Sequence, residues 1–143
     1  MQTRISLPTM DATVALAQRI APKLGAGDVL GLKGTLGTGK TAFARALIQT
    51  ILDVPVEVAS PTFTLLQTYP APFGEIWHYD LYRVEEESAL RELGLEEAWQ
   101  HLVLIEWPEH AGNTPIPFTA MLEFTLAADG SRDVTIYSEK EWV

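Results

Sequence analysis

The 143-residue sequence predicts an α/β domain of three layers, with a mixed, mainly parallel sheet and a C-terminal β-hairpin. Three observations carry that prediction. A short apolar run, Val29-Leu30-Gly31-Leu32, passes through a glycine-rich turn into a helical pattern that starts at Lys40. Brief apolar runs of the buried-strand kind alternate with amphipathic helical stretches, the pattern of helices packed on a sheet. The last third alternates in polarity on either side of Asp129-Gly130, a hairpin signature. A chain of this length has the size of one domain, so residues 1–143 are expected to form a single compact unit.

The elements follow in order. Met10 to Leu24 places Val14, Ala17, Ile20, Ala21 and Leu24 at helical spacing, with Thr9 or Asp11 as N-cap and Pro22 ending or kinking the helix. Gly25-Ala26-Gly27-Asp28 is a turn into the strand Val29–Leu32. Lys40 to Leu52 reads as a helix with Phe43, Ala44, Leu47, Ile48 and Ile51 on one face. Phe63–Tyr69 and Ile76–Asp80 read as two strands of a hairpin, joined across residues 70–74. Glu85–Glu92 reads as helix and Glu96–Gln100 as a second short turn after the break at Gly94. Leu102–Ile105 is a continuous apolar run of the buried-strand type, stopped by Glu106-Trp107-Pro108. Ala120–Ala127 and Asp133–Tyr137 form the final hairpin.

Composition narrows the function. With 47% hydrophobic and 20% charged residues the chain is of globular type and not disordered. A net charge of −9 argues against a broad phosphate-neutralising surface, so a free-standing nucleic-acid binder is not expected. The acidity is local: eight carboxylates between Glu85 and Glu109 face Arg91 alone, whereas residues 1–84 net +1. Without cysteine there is no disulfide, no thiolate nucleophile and no Cys-ligated zinc. His78, His101 and His110 lack metal-ligand spacing and read as surface or packing residues. No apolar run approaches the roughly 18 residues of a membrane span and the first residues lack a signal-peptide pattern. No membrane partner is expected, and the cytoplasm is the expected location.

The chemistry lies in Gly34-Thr35-Leu36-Gly37-Thr38-Gly39-Lys40-Thr41, a full match to G-x-x-x-x-G-K-[ST] set between a predicted strand and a predicted helix. A loop this rich in glycine can curl until successive backbone N–H groups point at phosphate oxygens, and the helix N-terminus adds partial positive charge. Lys40 is placed to bridge the β- and γ-phosphates of a nucleotide, and the Thr41 hydroxyl to ligate Mg²⁺ between them. The predicted domain is therefore P-loop NTPase-like. Such a loop needs a carboxylate at a neighbouring strand end, and Asp80 and Glu106 both qualify. Thr62, in Ser60-Pro61-Thr62-Phe63, offers a second hydroxyl just before a strand, where a switch loop would lie.

The order Gly34–Thr41, Ser60-Pro61-Thr62-Phe63-Thr64-Leu65, His78-Tyr79-Asp80-Leu81-Tyr82-Arg83, Leu93-Gly94-Leu95 and Ile105-Glu106-Trp107-Pro108-Glu109 resembles the bacterial TsaE family, also called YjeE. The resemblance runs from about Pro8 to Trp107 and is weak after Asn113. It implies a small cytoplasmic P-loop ATPase required for making threonylcarbamoyladenosine in tRNA. It further implies ATP or ADP and Mg²⁺ as cofactors and a TsaB–TsaD complex as partner, which carries out the transfer, contacts the tRNA and is reset by ATP hydrolysis.

By the same resemblance the family's phosphate loop falls on Leu36, Gly37, Thr38, Gly39, Lys40 and Thr41, its magnesium ligands on Thr41 and Glu106, and its switch-like threonine on Thr62. Asp80 takes the place of the family's essential aspartate, assigned to water activation or to the outer magnesium shell. Thr9 falls where the family contacts the nucleotide, Thr13 is the threonine of its opening pattern, and Trp107 matches a tryptophan associated with activity. The sequence departs from the pattern at Thr35, usually Asp, and at Thr38, often Ala; the second change leaves a cradle of backbone donors intact.

Two other readings use the same loop. A small-molecule or nucleoside kinase needs an acceptor pocket and usually an Arg-rich lid, for which the chain after Arg45 offers only Arg83, Arg91 and Arg132. A nucleotide-dependent binding module would hydrolyse negligibly and present one face to a partner when ATP is bound. A GTPase is disfavoured, because the guanine-reading N-K-x-D is absent and Asn113 is the chain's single Asn.

Overall fold

The computed structural model of the chain describes residues 2–35, 37–54, 57–58, 65–86 and 88–139. Seven strands, β1 (Gln2–Leu7), β2 (Val29–Lys33), β3 (Leu66–Ala71), β4 (Gly74–Asp80), β5 (Leu102–Glu106), β6 (Ala120–Leu126) and β7 (Arg132–Ser138), form one sheet. Its order is β1-β7-β6-β2-β5-β4-β3. The central pairings β6·β2, β2·β5 and β5·β4 are parallel, and the outer ones antiparallel. The sheet is thus mixed with a parallel centre, and β6–β7 is the expected C-terminal hairpin.

Alternation along the central strands divides the core in two. Leu30 and Leu32 of β2, with Leu102 and Leu104 of β5, pack on the helices α1 (Met10–Ile20) and α2 (Lys40–Leu52) through Leu16, Ile20, Phe43, Leu47 and Ile48. Val29, Val103 and Ile105 point the other way. With Tyr79 they meet Leu90 and Leu95 of the short helices α3 (Ser88–Glu92) and α4 (Leu95–Ala98). A strand covered on both faces has no solvent side to mark with polar residues, which is why β2 and β5 read as unbroken apolar runs. Each such Leu or Ile gains about 1.5–3 kcal/mol by leaving water. Among the described residues no helix is long and apolar enough to cross a membrane.

Several boundaries differ from the sequence reading. The helix from Met10 ends at Ile20, and a 3-10 turn over Ala21–Lys23 carries Pro22. β1 was not anticipated; Ile5 and Leu7 alternate with Arg4 and Ser6, and the strand pairs antiparallel with β7. β3 begins at Leu66 and continues through Pro70 to Ala71, and Pro72-Phe73 alone make the turn, because β3 is the sheet's outermost strand and there a missing N–H is tolerated. Phe63 and Thr64 lie outside the described residues. The helix expected from Glu85 starts at Ser88: Leu81–Val84 forms a turn closed by Val84 N–H to Leu81 O (3.0 Å), and buried Val84 ties the chain to the core before a helix can start. The turn expected over Glu96–Gln100 is α4, entered through Gly94 with a φ of 69°.

Candidate functional site

The parallel pairing of β4, β5 and β2 brings their C-terminal ends to one edge of the sheet. Leu32 stands opposite Glu106, and Glu106 opposite Asp80. The glycine loop leaves β2 at that same edge and enters α2 through Gly39, whose φ of 101° is a left-handed conformation that side chains disfavour. Gly34 has a positive φ too, of 145°, and a further reason to be glycine: a Cβ there would lie 2.6 Å from the Phe124 carbonyl oxygen and 2.8 Å from Thr38 Oγ1. Thr38 is buried and donates to the Thr35 carbonyl at 2.7 Å, so a departure from the family pattern staples the loop across three residues.

Lys40 is 5% exposed. Its ammonium donates to the carbonyls of Gly34 and Thr35 and lies 3.8 Å from the centre of the Trp107 ring, a cation–π contact. Burial pulls its pKa below the ordinary lysine value, and the charges of Glu106, Glu109 and Asp80 act in the opposite direction. Trp107 has a φ of 59°, and a bulky residue in that region stores strain of about 1–3 kcal/mol. Its N–H reaches Leu32 O at 3.3 Å, and Tyr82 (4.8 Å between ring centres) and His110 (5.3 Å) brace its ring.

Glu106 is buried at 1% exposure and fixed at both oxygens. Thr41 Oγ1 donates to Oε1 at 2.6 Å, and His78 Nε2 lies 2.6 Å from Oε2. His78 is fully buried, two residues before Asp80 on β4, and Nδ1 has no hydrogen-bond partner among the described residues. Its full burial agrees with the packing reading of the sequence, to which the structure adds the contact with Glu106. Asp80, also buried, accepts from Tyr82 N–H through Oδ1 at 3.0 Å.

These groups share a cavity of about 340 Å³ that Gly37, Thr38, Gly39, Lys40, Thr41, Asp80, Glu106 and Trp107 help to line. A helix N-terminus and an ammonium suit a phosphate chain. A hydroxyl and two carboxylates are hard oxygen donors of the kind magnesium takes. Of the sequence-derived candidates, Gly37 to Thr41, Asp80 and Glu106 come together, while Gly34 closes the loop from behind. Thr9 caps α1, accepting from Ala12 N–H at 3.2 Å, and its neighbour Met10 reaches the cavity wall. Leu36 and Thr62 lie outside the described residues. Sequence reasoning missed Tyr82 and the Glu106 contact of His78; for His78 a signal existed, since it shares the strand parity of Asp80.

A glycine loop between a buried strand and a helix, facing carboxylates at the ends of the adjacent parallel strands, defines a P-loop α/β protein. The family model described as "Threonylcarbamoyl adenosine biosynthesis protein TsaE" matches residues 7–135, and the chain belongs to the TsaE family. The protein of that name from Rickettsia prowazekii is 41% identical over 135 residues, covering 94% of either chain. That of Rickettsia conorii is 44% identical over 105 residues, 73% of this chain, which spans 60% of the relative's length. That of Bacillus subtilis is 35% identical over 128 residues, 87% of this chain and 78% of the relative. A crystal structure of Bacillus subtilis YdiB superposes with a TM-score of 0.79 at 27% identity, covering 98% of this chain and 87% of that one.

Proposed function

We propose that this chain binds and hydrolyses ATP in the biosynthesis of tRNA threonylcarbamoyladenosine, acting with TsaB and TsaD partners that grip the tRNA while nucleotide turnover resets the complex. The observation that carries the reading is the 2.6 Å contact of Thr41 with Glu106 beside Asp80, at the mouth of the loop that holds Lys40. The family names of the relatives supply the pathway.

In this reading the backbone N–H groups of residues 37–41 cradle the phosphates, and Lys40 neutralises charge on the β- and γ-phosphates. Thr41 and Glu106 would hold magnesium, which supplies charge neutralisation and a fixed phosphate geometry when bound. His78 keeps Glu106 turned toward Thr41. Asp80, anchored by the Tyr82 N–H, would orient the attacking water, and Thr62, by the family resemblance alone, would respond to the γ-phosphate. Trp107 covers the ammonium and keeps water from it.

The test is phosphate release from ATP by the purified chain, alone and with TsaB and TsaD. Turnover that rises with the partners is expected. Transfer of the phosphoryl group to a small hydroxyl acceptor by the isolated chain would establish a kinase instead, and partner-independent absence of turnover a binding module.

A further inference from the structure

Arg132, the first residue of β7, plays no part in the site as built so far. Its backbone is locked between Leu7 of β1 and Leu126 of β6. Its side chain runs from there across the N-terminus of α2: a Cβ built on Gly39 would meet Arg132 Cδ at 3.4 Å, Nε at 3.7 Å and Nη1 at 4.0 Å. It lines the same cavity as Lys40, Thr41, Asp80 and Glu106. Nε is buried and has no hydrogen-bond acceptor among the described residues.

The contrast with the other arginines is instructive. Arg4 pairs with Asp133 at 2.7 Å on the surface, and Arg45 donates to the Val58 carbonyl at 3.3 Å. A guanidinium cannot shed its proton, so a buried N–H without an acceptor opposes folding and does not help it. A side chain kept at that disadvantage beside a phosphate loop has the properties of a ligand contact, because sites that bind carry groups the apo fold does not need.

We infer that Arg132 is a phosphate contact delivered in cis by the C-terminal hairpin, donating its planar fork to the phosphate chain of a nucleoside polyphosphate seated over Gly39. The inference rests on the nucleotide reading above and extends it to a residue outside the glycine motif. Charge supports the assignment. Asp80 and Glu106 already outnumber Lys40 in the cavity, and the phosphates of ATP add several further negative charges that a second cation meets. The stem of Arg132 lies at van der Waals distance from the space above Gly39, so the φ of 101° and not crowding is what demands glycine there.

The experiment is calorimetric titration of Mg-ATP and Mg-ADP into the full chain and into Arg132→Met, Arg132→Lys and Lys40→Ala, with urea unfolding of each apo protein. Arg132→Met keeps the aliphatic stem over Gly39 and removes the fork. It is expected to weaken ATP binding roughly 10- to 100-fold, the worth of a charge-assisted contact, while the apo protein unfolds at the same urea concentration as wild type or a higher one. Arg132→Lys is expected to recover part of the affinity. Wild-type affinity in Arg132→Met, with binding lost in Lys40→Ala, would overturn the role of Arg132 and leave the loop reading standing. Lowered urea stability with unchanged affinity would make Arg132 structural. Absence of nucleotide binding by the wild-type chain would overturn both readings.

Discussion

Lys40 is held by its own loop. Two backbone carbonyls and an aromatic face surround its ammonium, so a phosphate must compete with Gly34 and Thr35 for the same protons. Burial already disfavours the charged form, which makes the gain on meeting a phosphate large. Lys40→Ala is therefore expected to abolish measurable ATP affinity in calorimetry; retention of wild-type affinity would refute the loop assignment. Glu106 poses a second test. If it holds magnesium, Glu106→Gln halves the available charge and should raise the Mg²⁺ concentration for half-maximal binding about tenfold or more. An unchanged requirement would shift the role to Asp80. The motif was fully legible as residues. The Thr38 staple, the Trp107 cover and the His78 tether were not, since each depends on a backbone angle or a strand register that single residue types do not encode.

At the level of elements, the parallel centre and the strand–loop–helix unit followed from apolar runs and glycines. What failed were elements whose signal is weak or local. β1 has two apolar side chains in a polar stretch, and its stability comes from the ladder with β7 rather than from its own pattern. The start of α3 was misplaced because Val84, one residue before the acidic run, is a core residue. Tyr79 joins β4 to the layer of α3 and α4, its hydroxyl donating to the Leu93 carbonyl at 2.9 Å. Burial first, and the charge of Glu97 second, push its pKa above the ordinary tyrosine value. The native chain thus keeps a proton that the unfolded chain loses near pH 10, so the stabilising contribution is complete below that pH and is lost as pH rises beyond it. The urea midpoint should fall more steeply between pH 9 and about 11 in the wild type than in Tyr79→Phe; parallel profiles would show that the phenol titrates normally in the fold.

For the molecule as a whole, the fold divides the charge that the sequence concentrates. Glu106 turns inward to the loop, whereas Glu85, Glu86, Glu92, Glu96 and Glu97 are exposed around α3 and α4, on the sheet face opposite α1 and α2. The acidic run in sequence is thus one buried carboxylate beside the glycine loop plus a solvent face. If that face meets the partner complex, Glu85→Lys with Glu86→Lys should weaken association with TsaB and TsaD while nucleotide affinity stays unchanged; equal association of both proteins in a pull-down would reduce the face to solvation. The two ends of the sheet are unlike. β3 carries Pro70 in its interior and Pro72 just past its end, so the row of donors it turns outward is interrupted. A stray strand from another copy finds no continuous ladder to join, and growth of the sheet into filaments is blocked on that side. Pro70→Thr, which restores the missing donor, should shift the light-scattering profile toward strand-linked oligomers at high protein concentration, the hazard that one proline in an outermost strand holds off.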